Sequence, residues 1–161
     1  MKSELTEKEL INKAEMYCSS SEHCISEVVA KLIQWGALPE SHINIIETLV
    51  NEKYIDEMRF SKAFVRDKYR FNQWGRNKIR QALMLKSIPS DKIESAFLEI
   101  DDKEYRNNIA RLLEKKRKSI KGKNEYECNT KLIRFALSRG YEMNEIIKCI
   151  KINNADEAFF D

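Results

Sequence analysis

The stretch ISEVVAKLIQWGALPESHINIIETLV, residues 25–50, decides the fold. Ile25, Val28, Val29, Leu32 and Ile33 recur at three- and four-residue spacing and mark one apolar stripe along a helix, which ends near Gly36. A second stripe of Ile43, Ile46, Leu49 and Val50 begins after Pro39. Upstream, Thr6-Glu7-Lys8-Glu9 is a capping-box pattern that opens a helix with Leu10, Ala14, Tyr17 and Cys18 on its apolar face, closed by Ser19-Ser20-Ser21. The result is a unit of three helices.

Downstream the pattern starts again. Asp56 caps a helix carrying Phe60, Ala63 and Phe64; Ile79, Ala82 and Leu83 form the next stripe; and Ile93, Ala96, Phe97 and Ile100 follow Pro89-Ser90. A third round holds Tyr105, Ile109, Leu112 and Leu113, then Cys128, Leu132, Phe135 and Ala136, then Ile146, Ile147 and Ile150. Leu38-Pro39 with Ile43 and Ile46 aligns with Ile88-Pro89 with Ile93 and Ala96 at an offset of 50, and Tyr141, Ile146 and Cys149 follow at 53. A period of this size predicts tandem three-helix repeats over 5–51, 52–100 and 101–152, with a C-terminal tail at 153–161. A triplet this small cannot bury a sufficient core alone, so neighbouring units must cover one another, and an elongated, curved array of nine helices is expected.

Composition agrees with an all-α fold. Of 161 residues, 42% are hydrophobic, enough for a buried interior, while four glycines and two prolines leave little turn chemistry for a sandwich or barrel. No apolar run reaches the roughly 20 residues needed to span a bilayer, and the opening MKSELTEKELINK lacks a signal-peptide core, so a cytoplasmic location without membrane contact is expected. In that reducing compartment Cys18, Cys24, Cys128 and Cys149 are expected to be small buried hydrophobes rather than a disulfide framework.

Catalytic chemistry finds little support. Gly36, Gly75, Gly122 and Gly140 stand alone, without a phosphate-cradling loop or dinucleotide fingerprint. Cys18, His23, Cys24 and His42 lack metal-ligand spacing, and a buried cysteine beside an exposed histidine explains the pair at 23 and 24 better. Asp56-Glu57 and Asp101-Asp102 precede apolar stripes, where carboxylates complement the helix N-terminus. Neither an enzyme nor a cofactor is expected.

What the sequence does offer is charge in blocks. The net charge of +3 conceals a first segment, 1–60, with six cations against eleven acids, and a second, 62–86, with eight cations against one acid. Residues 87–110 turn acidic again, and 111–123 carry seven cations against one acid. An ordinary solvated face mixes signs, whereas a one-sign block repels itself unless an anion binds. The candidate contact residues are Arg66, Lys68 and Arg70 at one helix end, Arg76, Lys78, Arg80 and Lys86 on the next helix, and Lys115, Lys116, Arg117 and Lys118, a cluster that with Lys121 and Lys123 extends past a helix end into a Gly-containing link expected to be mobile. Phosphate backbone and an acidic protein surface both remain open as partners. Trp74 and Phe71, interleaved with arginines, could stack on bases, but at a helix junction core packing is the preferred role.

One stretch resembles a known family. Tyr54-Ile55-Asp56-Glu57-Met58-Arg59-Phe60, Ala63-Phe64-Val65, Trp74-Gly75 and Ile79-Arg80-Gln81-Ala82-Leu83 with Lys86 and Ile88 look like the signature of the RecX family of bacterial recombination regulators. The likeness is most specific over 52–89, while Trp35-Gly36-Ala37-Leu38 matches loosely and Ser87 stands where the family usually has Gly. The resemblance implies a non-enzymatic monomer that binds the RecA recombinase and its filament on single-stranded DNA, restrains ATP hydrolysis and strand exchange, and so bears on DNA repair, recombination and the SOS response. It also implies that Asp56, Arg59, Phe60, Phe64, Gly75, Ile79 and Leu83 are mainly structural, with Arg59 pairing with Asp56 or Glu57. Arg80 and Lys86 become the motif cations that meet a partner. The competing reading is a sequence-independent nucleic-acid-binding helical repeat, resting on the two cationic blocks alone.

Overall fold

A computed structural model describes residues 4–158, with side chains through Ile150. Among the described residues the chain is all-α. The helices are α1 (Glu7–Ser20), α2 (Ile25–Gln34), α3 (Pro39–Asn51), α4 (Glu57–Arg70), α5 (Arg76–Leu85), α6 (Ser90–Ala96), α7 (Asp102–Arg117), α8 (Glu125–Ser138) and α9 (Met143–Ala158), with one 3-10 turn at Phe97–Glu99. Helix α9 continues through residues 153–158 of the segment expected to be a tail, and 159–161 lie outside the described residues.

Capping chemistry sets the starts. Thr6 accepts from the Glu9 amide at 3.2 Å, Asp56 from Arg59 at 2.9 Å, Asp101 from Glu104 at 2.9 Å and Asn124 from Glu127 at 2.8 Å, each satisfying an amide that the first turn leaves without a partner. Glu57, expected beside Asp56 as a surface complement to the helix end, is instead 9% exposed, and burial pushes its carboxyl above the usual range.

The ends of α2, α5 and α8 share one geometry. Gly36, Ser87 and Gly140 take φ of 82°, 62° and 95°, and the following amides of Ala37, Ile88 and Tyr141 reach back to the carbonyls of Leu32, Leu83 and Ala136 at 2.9, 3.1 and 3.1 Å. This is the six-to-one bond of a left-handed helix exit. Ser87 therefore keeps the turn without a glycine, at the steric cost that a Cβ carries there. The three exits also correct the repeat register: Gly36, Ser87 and Gly140 are 51 and 53 apart, so the first offset is 51 rather than 50. Packing agrees, because Ile45 and Leu49 are fully buried while Ile43 and Val50 are 68% and 41% exposed. Ile45 thereby matches the buried Ala96 and Cys149.

Contacts divide the chain into two compact units. The first comprises residues up to Phe64 together with Leu83–Ala96; the second comprises Val65–Ala82 and the chain from Phe97 onward. Residues of the middle triplet are thus assigned to both. In the first unit Leu10, Ala14, Cys18, Val28, Leu32, Ile45, Leu49 and Ile55 form one buried cluster with Trp35 and Tyr54 packed against it. Burying side chains of this size contributes about 1.5–3 kcal/mol each. Burial also pushes the Cys18 thiol up to about 11, which keeps it protonated and apolar in character.

In the second unit α7, α8 and α9 pack on one another and bury Ile109, Leu113, Leu132, Ala136 and Ile146. The start of α5 docks on the exit of α8: the Gly75 amide donates to the Arg139 carbonyl at 2.7 Å and the Asn77 amide to the Gly140 carbonyl at 2.9 Å. A Cβ on Gly75 would lie 2.4 Å from the Gly140 carbonyl carbon, and one on Gly140 would lie 2.3 Å from the Lys78 Cβ. Both positions need glycine for closeness of approach, and the carbonyl end of α8 caps the amide end of α5.

Candidate functional site

A stack of tyrosines in the second unit underlies the site. The rings of Tyr69 and Tyr105 are 5.9 Å apart and those of Tyr105 and Tyr141 5.5 Å. The Tyr105 hydroxyl accepts from the Arg76 amide at 3.1 Å and donates to Glu142 in a short bond. The Tyr141 hydroxyl donates to the Gln73 carbonyl at 2.9 Å, and the Asn108 amide donates to the Tyr69 hydroxyl. Burial raises all three phenols, Tyr141 to about 12, so they stay neutral hydrogen-bonding groups at physiological pH.

Over this stack lies a groove of about 480 Å³. Helix α4 supplies Tyr69 and Arg70 from its last turn, and Gln73 follows in a left-handed turn at φ 56°. Tyr141 comes from the exit of α8, while α7 presents Glu104, Asn108, Arg111, Leu112 and Lys115, which share one side of the helix at three- and four-residue spacing. A second groove of about 330 Å³ shares Gln73, Leu112 and Lys115 with the first and adds Lys116, Ser119, Phe135 and Arg139. The two grooves adjoin at these shared residues and together are called the trough. Its walls carry Arg70, Arg111, Lys115, Lys116 and Arg139 against the single carboxylate of Glu104. Among the described residues none of these five cations forms an ion pair; Lys116 and Arg139 instead lie over the Phe135 ring at 4.7 and 5.3 Å.

The cations expected from sequence fall into separate settings. Arg66, Arg70, Lys115 and Lys118 are exposed, and Arg117 is half-buried. Lys68 and Lys78 both lie over the Trp74 ring, at 4.9 and 4.7 Å, so the end of α4 and the start of α5 do meet. Arg80 lies over Phe97 at 5.0 Å and donates to Asn77 at 2.9 Å. Lys115, Lys116 and Arg117 form the last turn of α7, where they complement its C-terminal partial charge, and Lys118 caps it, so the cluster extends past a helix end as expected.

Arg76 and Lys86 are neutralised internally. Arg76 bonds Glu142 at 3.1 Å and Asp102 at 2.6 Å, stacks on Tyr105 at 4.0 Å, and has a side chain only 16% exposed. Burial alone would lower its pKa, but the Glu142 carboxylate outweighs that and raises it. Lys86 belongs to the first unit and pairs with Glu27 at 3.2 Å. Arg59 pairs with Glu22 at 2.5 Å and bonds the Lys53 and Tyr54 carbonyls, in place of Asp56 or Glu57. The other motif residues have structural settings: Ile79 and Leu83 are fully buried, Phe60 is 6% exposed, and Phe64 packs on Phe60 at 5.8 Å.

Sequence reading missed Arg111, Arg139, Gln73 and the tyrosine stack. The spacing of Glu104, Asn108, Arg111 and Lys115 was the available signal for the α7 wall, whereas Arg139 reaches the trough through chain folding alone. Phe71, expected in the core, is 80% exposed. His23 is also more engaged than expected, stacked on Tyr17 at 3.7 Å beside the buried Cys24.

Comparison with known proteins identifies the arrangement. Family profiles described as "RecX, second three-helix domain" and "RecX, third three-helix domain" match residues 56–96 and 103–150. The chain belongs to the RecX family. A Regulatory protein RecX of Clostridium botulinum is 32% identical over 127 residues, covering 78% of this chain and 59% of that protein. One of Prosthecochloris aestuarii is 29% identical, covering 86% and 89%. The chain spans about 60% of the length of the clostridial relatives. The crystal structure of RecX from Lactobacillus salivarius has the same fold, with a TM-score of 0.82 at 22% identity, covering 92% of this chain and 97% of that one.

Proposed function

We propose that this chain regulates the RecA recombinase, binding RecA and its filament on single-stranded DNA and inhibiting recombinase and ATPase activity, and so modulates DNA repair and recombination. Membership of the RecX family supports RecA as the partner. The observation that carries the reading is the trough of the second unit, where five cations face one carboxylate and form no ion pair among the described residues. A protein that used these cations for its own fold would neutralise them, as it does Arg76. Uncompensated and held on a rigid tyrosine floor, they favour a polyanion, and the filament supplies one in its DNA strand. Arg66, Lys68, Lys78, Arg80, Arg117 and Lys118 extend the same positive field within the unit, while Arg76 and Lys86 leave the contact set. The chain acts as a cytoplasmic monomer, by binding and without chemistry of its own, and 5–51, 52–100 and 101–152 are its repeats. No helix among the described residues is long and apolar enough to cross a membrane.

The test is RecA's DNA-dependent ATPase titrated with this protein. Inhibition that weakens when Arg70, Arg111, Lys115 and Lys116 are changed together to alanine, with helical circular dichroism retained, is expected. An ATPase unmoved at any ratio would remove the reading. The trough also favours a second reading, a nucleic-acid-binding repeat that acts without RecA. That reading predicts DNA binding of equal strength whether or not RecA is present.

A further inference from the structure

Phe71 is an apolar ring held out in water. It follows the last residue of α4 and is 80% exposed, while Arg70 just before it and Gln73 two residues after it line the trough. The backbone beneath it is fixed: the Phe71 amide donates to the Asp67 carbonyl at 2.8 Å, Gln73 turns left-handed, and the Trp74 amide closes the exit on the Lys68 carbonyl at 3.0 Å. The exposure thus belongs to a capped turn and has no counterpart in loose chain. Trp74, the larger ring nearby, already carries Lys68 and Lys78 on its π system. Among the described residues the other aromatic this exposed is Tyr126, at 81%, and it stands between Glu125 and Glu127 in the first turn of α8. Phe71 instead directly follows Arg70, which lines the trough and forms no ion pair among the described residues.

An exposed aromatic ring on a rigid turn beside a cationic trough is the arrangement that binds unpaired strands: phosphates track the charge and a base covers the ring. Within a duplex the faces of each base are already covered by the bases stacked above and below it. We propose that Phe71 is a stacking platform for an unpaired base of a strand whose phosphates run in the trough, and that it makes this surface prefer single strands over duplex. The inference rests on the DNA contact of the function proposed above and assigns the residue that selects the form of the nucleic acid. Phe loses few rotamers on stacking, so the ring is prepared for contact at small entropic cost.

The experiment measures fluorescence anisotropy of a labelled oligothymidylate of about 20 nucleotides and a mixed-sequence duplex of equal length, without RecA, at fixed salt. Phe71→Ala is expected to weaken single-strand binding about ten-fold, within the range one base stack contributes, and to leave duplex binding within two-fold. Phe71→Trp should restore or tighten the single-strand affinity, and Tyr126→Ala should change neither. Phe71→Ala without effect, or with equal losses on both probes, overturns the assignment while the DNA contact stands. Wild-type protein that binds neither probe overturns both. A loss confined to RecA inhibition, with oligonucleotide binding intact, overturns it in favour of a protein pocket for the ring.

Discussion

Arg70 and Arg76 stand six residues apart in one compact unit and carry the same guanidinium, yet they do opposite work. Arg76 is stacked on Tyr105 between Glu142 and Asp102 and ties α5 to the chain from Asp102 onward. Arg70 faces the trough and forms no ion pair among the described residues. The difference teaches that a run of cations is a sum over two populations, one engaged in the fold and one without an ion pair among the described residues, and that only the positions of the carboxylates separate them.

The sharpest way to break this contrast is to remove the dock that holds Arg76 in place. Gly140→Ala puts a methyl group 2.3 Å from the Lys78 Cβ and 2.6 Å from its amide nitrogen. With the left-handed φ added, a loss of more than about 3 kcal/mol is expected in urea unfolding. Arg76→Ala comes next: it leaves Glu142 without its ion-pair partner in a half-buried site, and about 2 kcal/mol should be lost, below the full cost of breaking a deeply buried pair. Removing Arg70, Arg111 and Lys115 together is expected to change unfolding by less than about 1 kcal/mol, because exposed substitutions are individually small. The same variant should flatten the salt dependence of oligonucleotide binding, by about 0.7 per lost phosphate contact on a single strand. A trough variant that unfolds, or an Arg76 variant that stays stable and loses binding, would reverse the assignment of the two arginines.

Smaller effects sharpen the contrast in the first unit. Burial pushes the Glu27 carboxyl up, but the Cys24 amide at 3.1 Å and Lys86 at 3.2 Å outweigh it and hold it below its ordinary value of 4.5. A carboxyl depressed by folding contributes stability above its unfolded pKa and loses it as pH falls through the folded one. Lys86→Ala should therefore cost about 0.5–1 kcal/mol near pH 7 and almost nothing near pH 3, read by urea unfolding at the two values. Smallest is Ser87→Gly, expected to gain about 0.5 kcal/mol by relieving the left-handed Cβ, part of the gain being returned as unfolded-chain entropy.

Much of the fold was written in local signals. Thr6, Asp56 and Asp101 cap where their spacing places them, and Leu10, Ala14, Ile79, Leu83, Ile109 and Leu113 of their stripes are buried. Helix α3 shows the limit: Ile43, Ile45 and Ile46 all suit an apolar face, so periodicity could not choose among them, and only the hydrogen-bonded exit at Gly36 fixes the register. The site was half legible. Charge blocks located the cationic segments, but the carboxylate that quenches Arg76 lies 66 residues away and the one that quenches Lys86 lies 59 away, distances at which a sequence gives no pairing. Phe71 was misread because a ring at a helix junction usually plugs it, and here Trp74 with two lysines fills that place.

The division of the chain has a consequence for biosynthesis. Residues 65–82 leave the ribosome before 83–96, yet the former belong with Phe97 and beyond and the latter with the N-terminal helices. A nascent chain halted after α6 would hold the α5 start with the Gly75 and Asn77 amides still awaiting Arg139 and Gly140. No single proteolytic nick releases both halves whole, so limited digestion should yield either one domain-sized fragment with a frayed companion or none.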